Sequence, residues 1–165
     1  KFNSSNKEDE KVIKKYLNRL FIDGLSGMAY GLFSTLIIGT IICQIGSIIG
    51  VIPWAHILPL WVMLQSYKGA GIGVGVAVKL KASPLTTISA AVAGMVGAFP
   101  NIAIESFKIG SPGEPLGAFI AAYVAIEIGG LVSGKTKLEI IVTPLCCILT
   151  GAAAGYLVGP SYRLL

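Results

Sequence analysis

GAGIGVGVAVK, Gly69 to Lys79, admits two readings. Glycine alternates with small or β-branched apolar residues, and a period of two suits a strand. The surrounding solvent decides between strand and helix. In lipid a lone strand leaves its backbone groups unsatisfied, so a helix is the spanning structure open to a short apolar segment. The rest of the chain points to lipid. Hydrophobic residues make up 54% of the 165 and charged residues 13%, with a mean hydropathy of +0.78. A soluble domain carries about one quarter charged residues. No polar face recurs between Leu20 and Gly159 of the kind that surface helices need. Gly69–Lys79 is therefore predicted to be a helix whose glycines allow close contact with neighbouring helices.

Upstream, Lys1 to Lys11 is a polar tail. Val12 to Phe21, VIKKYLNRLF, sets Val12, Ile13, Tyr16, Leu17, Leu20 and Phe21 on one helical face and Lys14, Lys15, Asn18 and Arg19 on the other. That pattern predicts a short amphipathic helix in the membrane interface, or simply the cytoplasmic end of the first span. The first span runs from about Phe21 to Ile48, with Gly24, Gly27 and Gly31 on about one face. Asp23, near its start, could cap the helix or bind something at the membrane edge. The apolar run is longer than a signal-peptide core and lacks a small-residue cleavage site. Ile49 to Ala55 reads as a turn, and Trp54 and Trp61 suit an interfacial belt.

The second segment, His56 to Val78, is interrupted by Pro59 and by the polar block Gln65, Ser66, Tyr67 and Lys68. A third begins at Pro84 with Ser83 as N-cap and ends at about Asn101 or Ala103. The fourth follows Pro115 to about Val132, close to the short limit for a span. The fifth, Leu138 to Val158, contains Pro144, which either kinks it or starts a half-length helix. The expected fold is an all-α integral membrane protein of about five transmembrane helices, one of them broken or re-entrant, preceded by the interfacial helix. The basic groups Lys11–Arg19, Lys79 with Lys81, and Lys135 with Lys137 then share the cytoplasmic side with the N-terminus. Such a five-helix unit looks incomplete, since transporters are often paired inverted repeats. No internal repeat is found, so the partner would be a second copy or a missing second half.

Several function classes are excluded or set low. No basic patch with interleaved aromatics favours nucleic acid. Cys43, Cys146 and Cys147 lack metal spacing and read as buried small hydrophobes. No metal site, cofactor site or catalytic centre is visible. VSGKTK shares only the end of a phosphate-loop pattern. The candidate substrate-binding residues are Glu127, Glu114, Lys68, Gln65, Tyr67 and Asn101. Glu127 sits deep in an apolar run, where a carboxylate is costly and marks function or a buried pair. It could bind sugar hydroxyls, carry a proton or pair with a lysine, for which Lys68 is a candidate. Glu114, between glycine and proline at the mouth of a short helix, could bind hydroxyls or cap amides. The Gln65–Lys68 block suits a polyol or small anion. Asn101 could line a cavity or end its helix, and His56 reads as a solvated or capping residue.

RLFIDGLSGMAYGLFSTLIIG, GAGIGVGVAVKLKASPLTTISAAVAG, GEPLGAFIAAYVAIEIGGLVSGKTKLEIIVTP and GAAAGYLVGP together resemble the second membrane-embedded type of the phosphotransferase-system EIIC family, which includes perfringolysin O regulator-like membrane proteins. The resemblance implies that residues 12–165 form an EIIC-like membrane domain, the amino-terminal half of a longer one, in a bacterial cytoplasmic membrane. It implies sugar translocation, with phosphorylation performed by partner domains on their own histidine or cysteine. Sugar EIIC domains bind substrate through a glutamate beside a proline, which Glu114-Pro115 echoes. Expected partners are the bilayer, a small polar solute such as a sugar, and a cytoplasmic phosphotransferase or regulatory protein. Two alternatives remain open: a solute sensor that regulates gene expression without transport, and an ion-coupled secondary transporter.

Overall fold

The computed structural model describes residues 2–49, 67–98, 115–135 and 138–161. The regular structure of these residues is helical and forms five rods. The first rod is continuous from Phe2 to Ile49. It comprises α1 (Phe2–Asn18), a π-helical turn Arg19–Gly24, α2 (Leu25–Leu32), a second π turn Phe33–Ile37, and α3 (Ile38–Ile49). The other rods are α4 (Lys68–Lys79), α5 (Pro84–Ala98), α6 (Pro115–Val132) and α7 (Glu139–Ser161). The expected interfacial helix is thus no separate element. The residues joining α1 to the first span keep helical dihedrals, with Asn18 at φ −62°, ψ −42°.

Gly69–Lys79 is helical, and helical geometry explains its alternation. Two residues advance about 200° round an α-helix and four about 40°. Gly69 and Gly73 therefore share one face, and Gly71 and Gly75 the nearly opposite one. A Cβ on Gly69 would lie 2.6 Å from the Gly94 carbonyl oxygen of α5. A Cβ on Gly73 would strike Ala90, also of α5. On the other face, Gly75 abuts the backbone of Gly27, and Gly71 that of Gly31. Helix α4 is clamped between the first rod and α5 at backbone contact, which a side chain on either face would prevent.

Helix α4 ends in a Schellman turn. The Lys81 amide donates to the Val78 carbonyl at 3.1 Å, and the Ala82 amide to the Ala77 carbonyl at 2.9 Å. Lys81 takes the left-handed position, φ 57°, where glycine is usual. Helix α5 then starts as expected. The Thr86 amide donates to Ser83 Oγ at 3.3 Å, and Pro84 fills the first turn. Helix α7 continues through Pro144, which neither starts nor ends it. In the VSGKTK stretch, Ser133 and Gly134 form the turn that ends α6. Gly134 has φ 79°, and Ser133 Oγ donates to Glu139 Oε1 at 2.6 Å.

Helices α5, α6 and α7 pack mutually, and α4 joins them to the first rod. Their interior is rich in small residues: Ala77, Ala90, Ala93, Ala118, Ala121, Ala122 and Ala125 are fully buried, alongside the larger Ile72 and Val76. Large apolar side chains such as Phe33, Ile41, Ile45, Ile88, Ile140 and Leu149 point outward. This inverts the arrangement of a water-soluble protein and matches a lipid-facing one. Two described helices are long and apolar enough to cross a membrane: the first rod over Asp9–Ile48, and Pro115–Val132. Pro84–Ala98 and Glu139–Gly155 are apolar but shorter. Cys43 and Cys147 are buried free thiols and Cys146 is half-buried, in line with their reading as small hydrophobes.

Candidate functional site

A groove of about 1110 Å³ runs between the first rod and α4. The glycine contacts form its floor, because Gly31, Gly71 and Gly75 let the two backbones touch there. Tyr30, Ser34 and Thr35 line it from the rod, and Tyr67 stands where α4 begins. Asp23, Lys79 and Lys81 line its other end. The twelve residues of α4 separate the two ends by about 18 Å at the helical rise.

Both π turns of the rod carry residues that line this groove. A π turn inserts one residue into the helical repeat and is often found where function needs a shifted register. The first carries Arg19 and Asp23, and the second carries Ser34 and Thr35. Ser34 Oγ donates to the Tyr30 carbonyl at 2.9 Å, and Thr35 Oγ1 to the Gly31 carbonyl at 2.8 Å. Each hydroxyl spends its proton on the helix and keeps acceptor capacity toward the groove. Lys79 Nζ lies 5.5 Å from the Tyr30 ring centroid, within cation–π range.

Glu127 is paired, but not with Lys68. Arg19 Nε donates to Glu127 Oε1 at 3.0 Å. Lys68 opens α4, whereas Arg19 shares its surroundings with Lys79 and Lys81 at the far end of that helix. Eleven positions, about 16 Å, separate Lys68 from Lys79. Glu127 therefore belongs to the end of the bundle where the cations gather, five residues before the last residue of α6. One turn earlier on α6, Tyr123 packs on Phe119 with ring centroids 6.1 Å apart. Phe119 in turn meets the rod at Gly24.

Of the six sequence candidates, Tyr67 lines the groove, and Glu127 and Lys68 fall at opposite ends of the bundle. Gln65, Asn101 and Glu114 lie outside the described residues, as do His56, Trp54 and Trp61. Asp23, noted in the sequence as a membrane-edge residue, lines the groove. Tyr30, Ser34, Thr35, Lys79 and Lys81 were not among the candidates. The four-residue spacings Tyr30–Ser34 and Gly31–Thr35, polar or small groups inside an apolar run, are the signal that could have found the rod side.

Among the described residues, small groups inside, large apolar groups outside and a polar groove against a shifted helical register fit an all-helical membrane domain. Residues 22–165 match the family model described as Phosphotransferase system, EIIC. That span covers most of the chain, and the chain belongs to this family, whose EIIC unit is a membrane domain of sugar transport. Neither the curated proteins nor the solved structures compared with the chain gave a match.

Proposed function

We propose that the chain is a membrane-embedded permease domain that binds and translocates a sugar or a similar small polyhydroxylated solute through the groove between the first rod and α4. The family match over residues 22–165 carries this reading. The groove supports it with the chemistry a neutral polyol needs: the hydroxyls of Tyr30, Ser34, Thr35 and Tyr67 above a glycine floor. Aromatic rings and hydroxyls along one wall suit a ligand with an apolar face and a polar rim. Glu114, directly before α6, with Gln65, Lys68 and Asn101, would add polar contacts. Phosphorylation of the solute would be performed by partner domains.

The test is a ligand-dependent thermal-stability screen of the purified chain with sugars, sugar phosphates, polyols and small carboxylates. Hits are followed by uptake into vesicles. A ligand that binds only the folded state raises its stability by about 2.7 kcal/mol at one hundred times Kd. One solute should give a saturable shift that Tyr30→Phe and Tyr67→Phe weaken about tenfold, and the same solute should accumulate in vesicles. Binding without flux, together with ligand-dependent capture of a cytoplasmic protein, would replace transport with sensing. No response to any solute would overturn the assignment of the groove.

A further inference from the structure

A second concavity, of about 590 Å³, lies at the charged end of the bundle and has a different chemistry. Lys11, Lys14, Lys15, Asn18 and Arg19 recur at helical spacing and line it from α1 and the first π turn. Lys79, the last residue of α4, and Lys81, in the turn after it, face them. Six cations thus surround a groove lined by one carboxylate, Asp23. Among the residues whose side chains are described, no carboxylate lies within 4.0 Å of any of these five lysines, and Arg19 is paired to Glu127. Lysines three and four apart on one helix repel each other. The opposed lysines of the turn add to that repulsion, so the empty groove is electrostatically unfavourable and an anion would relieve it. Its geometry is also held in place: the Schellman turn sets Lys81, and the Tyr30 ring lies beside Lys79.

The neighbouring surface says which anion. Val12, Ile13, Tyr16, Leu17 and Phe21, on the other face of the same helical stretch, are exposed. A cationic hollow next to an exposed apolar strip, at the end of a membrane-crossing helix, matches the boundary between headgroups and acyl chains. Basic pockets between helices at that level hold lipid phosphates. We infer that the groove between Lys11–Arg19 and the Lys79–Lys81 turn binds the phosphate headgroup of an anionic phospholipid, with the acyl chains lying along the exposed face of the rod. The bound lipid would tie α1 to the α4–α5 turn and so brace the mouth of the neighbouring groove, which shares Asp23, Lys79 and Lys81. The lipid site itself does not depend on the identity of the transported solute.

The experiment titrates the detergent-purified chain with phosphatidylglycerol, phosphatidylcholine and inorganic phosphate, reading melting temperature and lipid retained in native mass spectrometry. Phosphatidylglycerol should stabilise saturably and remain bound, with phosphatidylcholine and inorganic phosphate at least tenfold weaker. Lys79→Gln with Lys81→Gln should weaken phosphatidylglycerol about tenfold. Lys11→Gln with Lys14→Gln changes only side chains of α1 and should do the same if the first pair fails to fold. Lys135→Gln, a cation on the turn after α6 that does not line the groove, should have no effect. Equal binding of the two lipids overturns the inference. So does an equal response to inorganic phosphate, which would make the groove a soluble-anion site. A loss in Lys135→Gln as large as in the groove variants would show diffuse charge attraction and overturn it too.

Discussion

Arg19 and Glu127 have side chains 42% and 33% exposed, and they meet at the end of the bundle where the cations gather. A pair of that exposure contributes about 1 kcal/mol or less. Glu127→Gln should therefore lower the melting temperature by only about 3 °C. Arg19→Glu combined with Glu127→Arg should recover most of the loss, because the geometry accepts either polarity. A thermal double-mutant cycle checks this, and a coupling indistinguishable from zero would remove the pair as a structural link. Thr143 poses the opposite case: its buried hydroxyl has no hydrogen-bond partner among the described residues. Thr143→Val keeps the shape and removes an unsatisfied group, so it should leave stability unchanged or raise it by about 1 kcal/mol in the same assay. Sequence alone marked Glu127 as an expensive carboxylate but misjudged its partner. Arg19 stands 108 residues away. A charge in an apolar run announces that it needs a partner, and only the packing of distant helices says which.

Helix α4 owes its place to missing side chains. Gly27→Ala would put a Cβ 2.7 Å from the Gly75 carbonyl oxygen and from Val76 Cα, both backbone atoms that cannot swing aside. It should cost about 2 kcal/mol or more. Gly130→Ala, where no atom of the described residues lies within 4 Å, should be neutral or stabilise by up to about 1 kcal/mol. Melting both variants separates close packing from helix propensity, and equal effects would deny the seam. Lys81→Gly should stabilise by about 1 kcal/mol, since it removes the cost of a left-handed lysine; a loss of stability would show that its side chain holds the turn. Element starts were legible where local chemistry sets them: the Ser83 cap, Pro84, and Pro115 at the head of α6. The continuity of the first rod was not. An amphipathic stretch followed by an apolar one fits either two helices or one, and the helical backbone at Asn18 makes it one. Pro144 was equally ambiguous, because packed helices in lipid tolerate a proline that would break an isolated helix.

For the whole molecule, the gathering of α1, the α4–α5 turn and Glu127 at one end leads to an expected orientation. In a cysteine-free background, Lys14→Cys, Lys81→Cys and Lys135→Cys should all react with an impermeant maleimide in inverted vesicles and resist it in right-side-out ones, in keeping with a cytoplasmic N-terminus. Labelling of any one from the opposite side would overturn the arrangement. Composition and hydropathy alone pointed to a helical membrane protein, because lipid forbids unpaired backbone and tolerates few charges at any position along the chain. The motif order alone was enough to point to the EIIC family. The tertiary structure decided which glycines touch, which cation meets Glu127, and where the hydroxyl-lined and lysine-lined grooves open. Those outcomes depend on helix rotation and register, and a π turn shifts register by one residue without leaving a local signal. The residues of both grooves come from rods far apart in sequence, so no local pattern could bring them together.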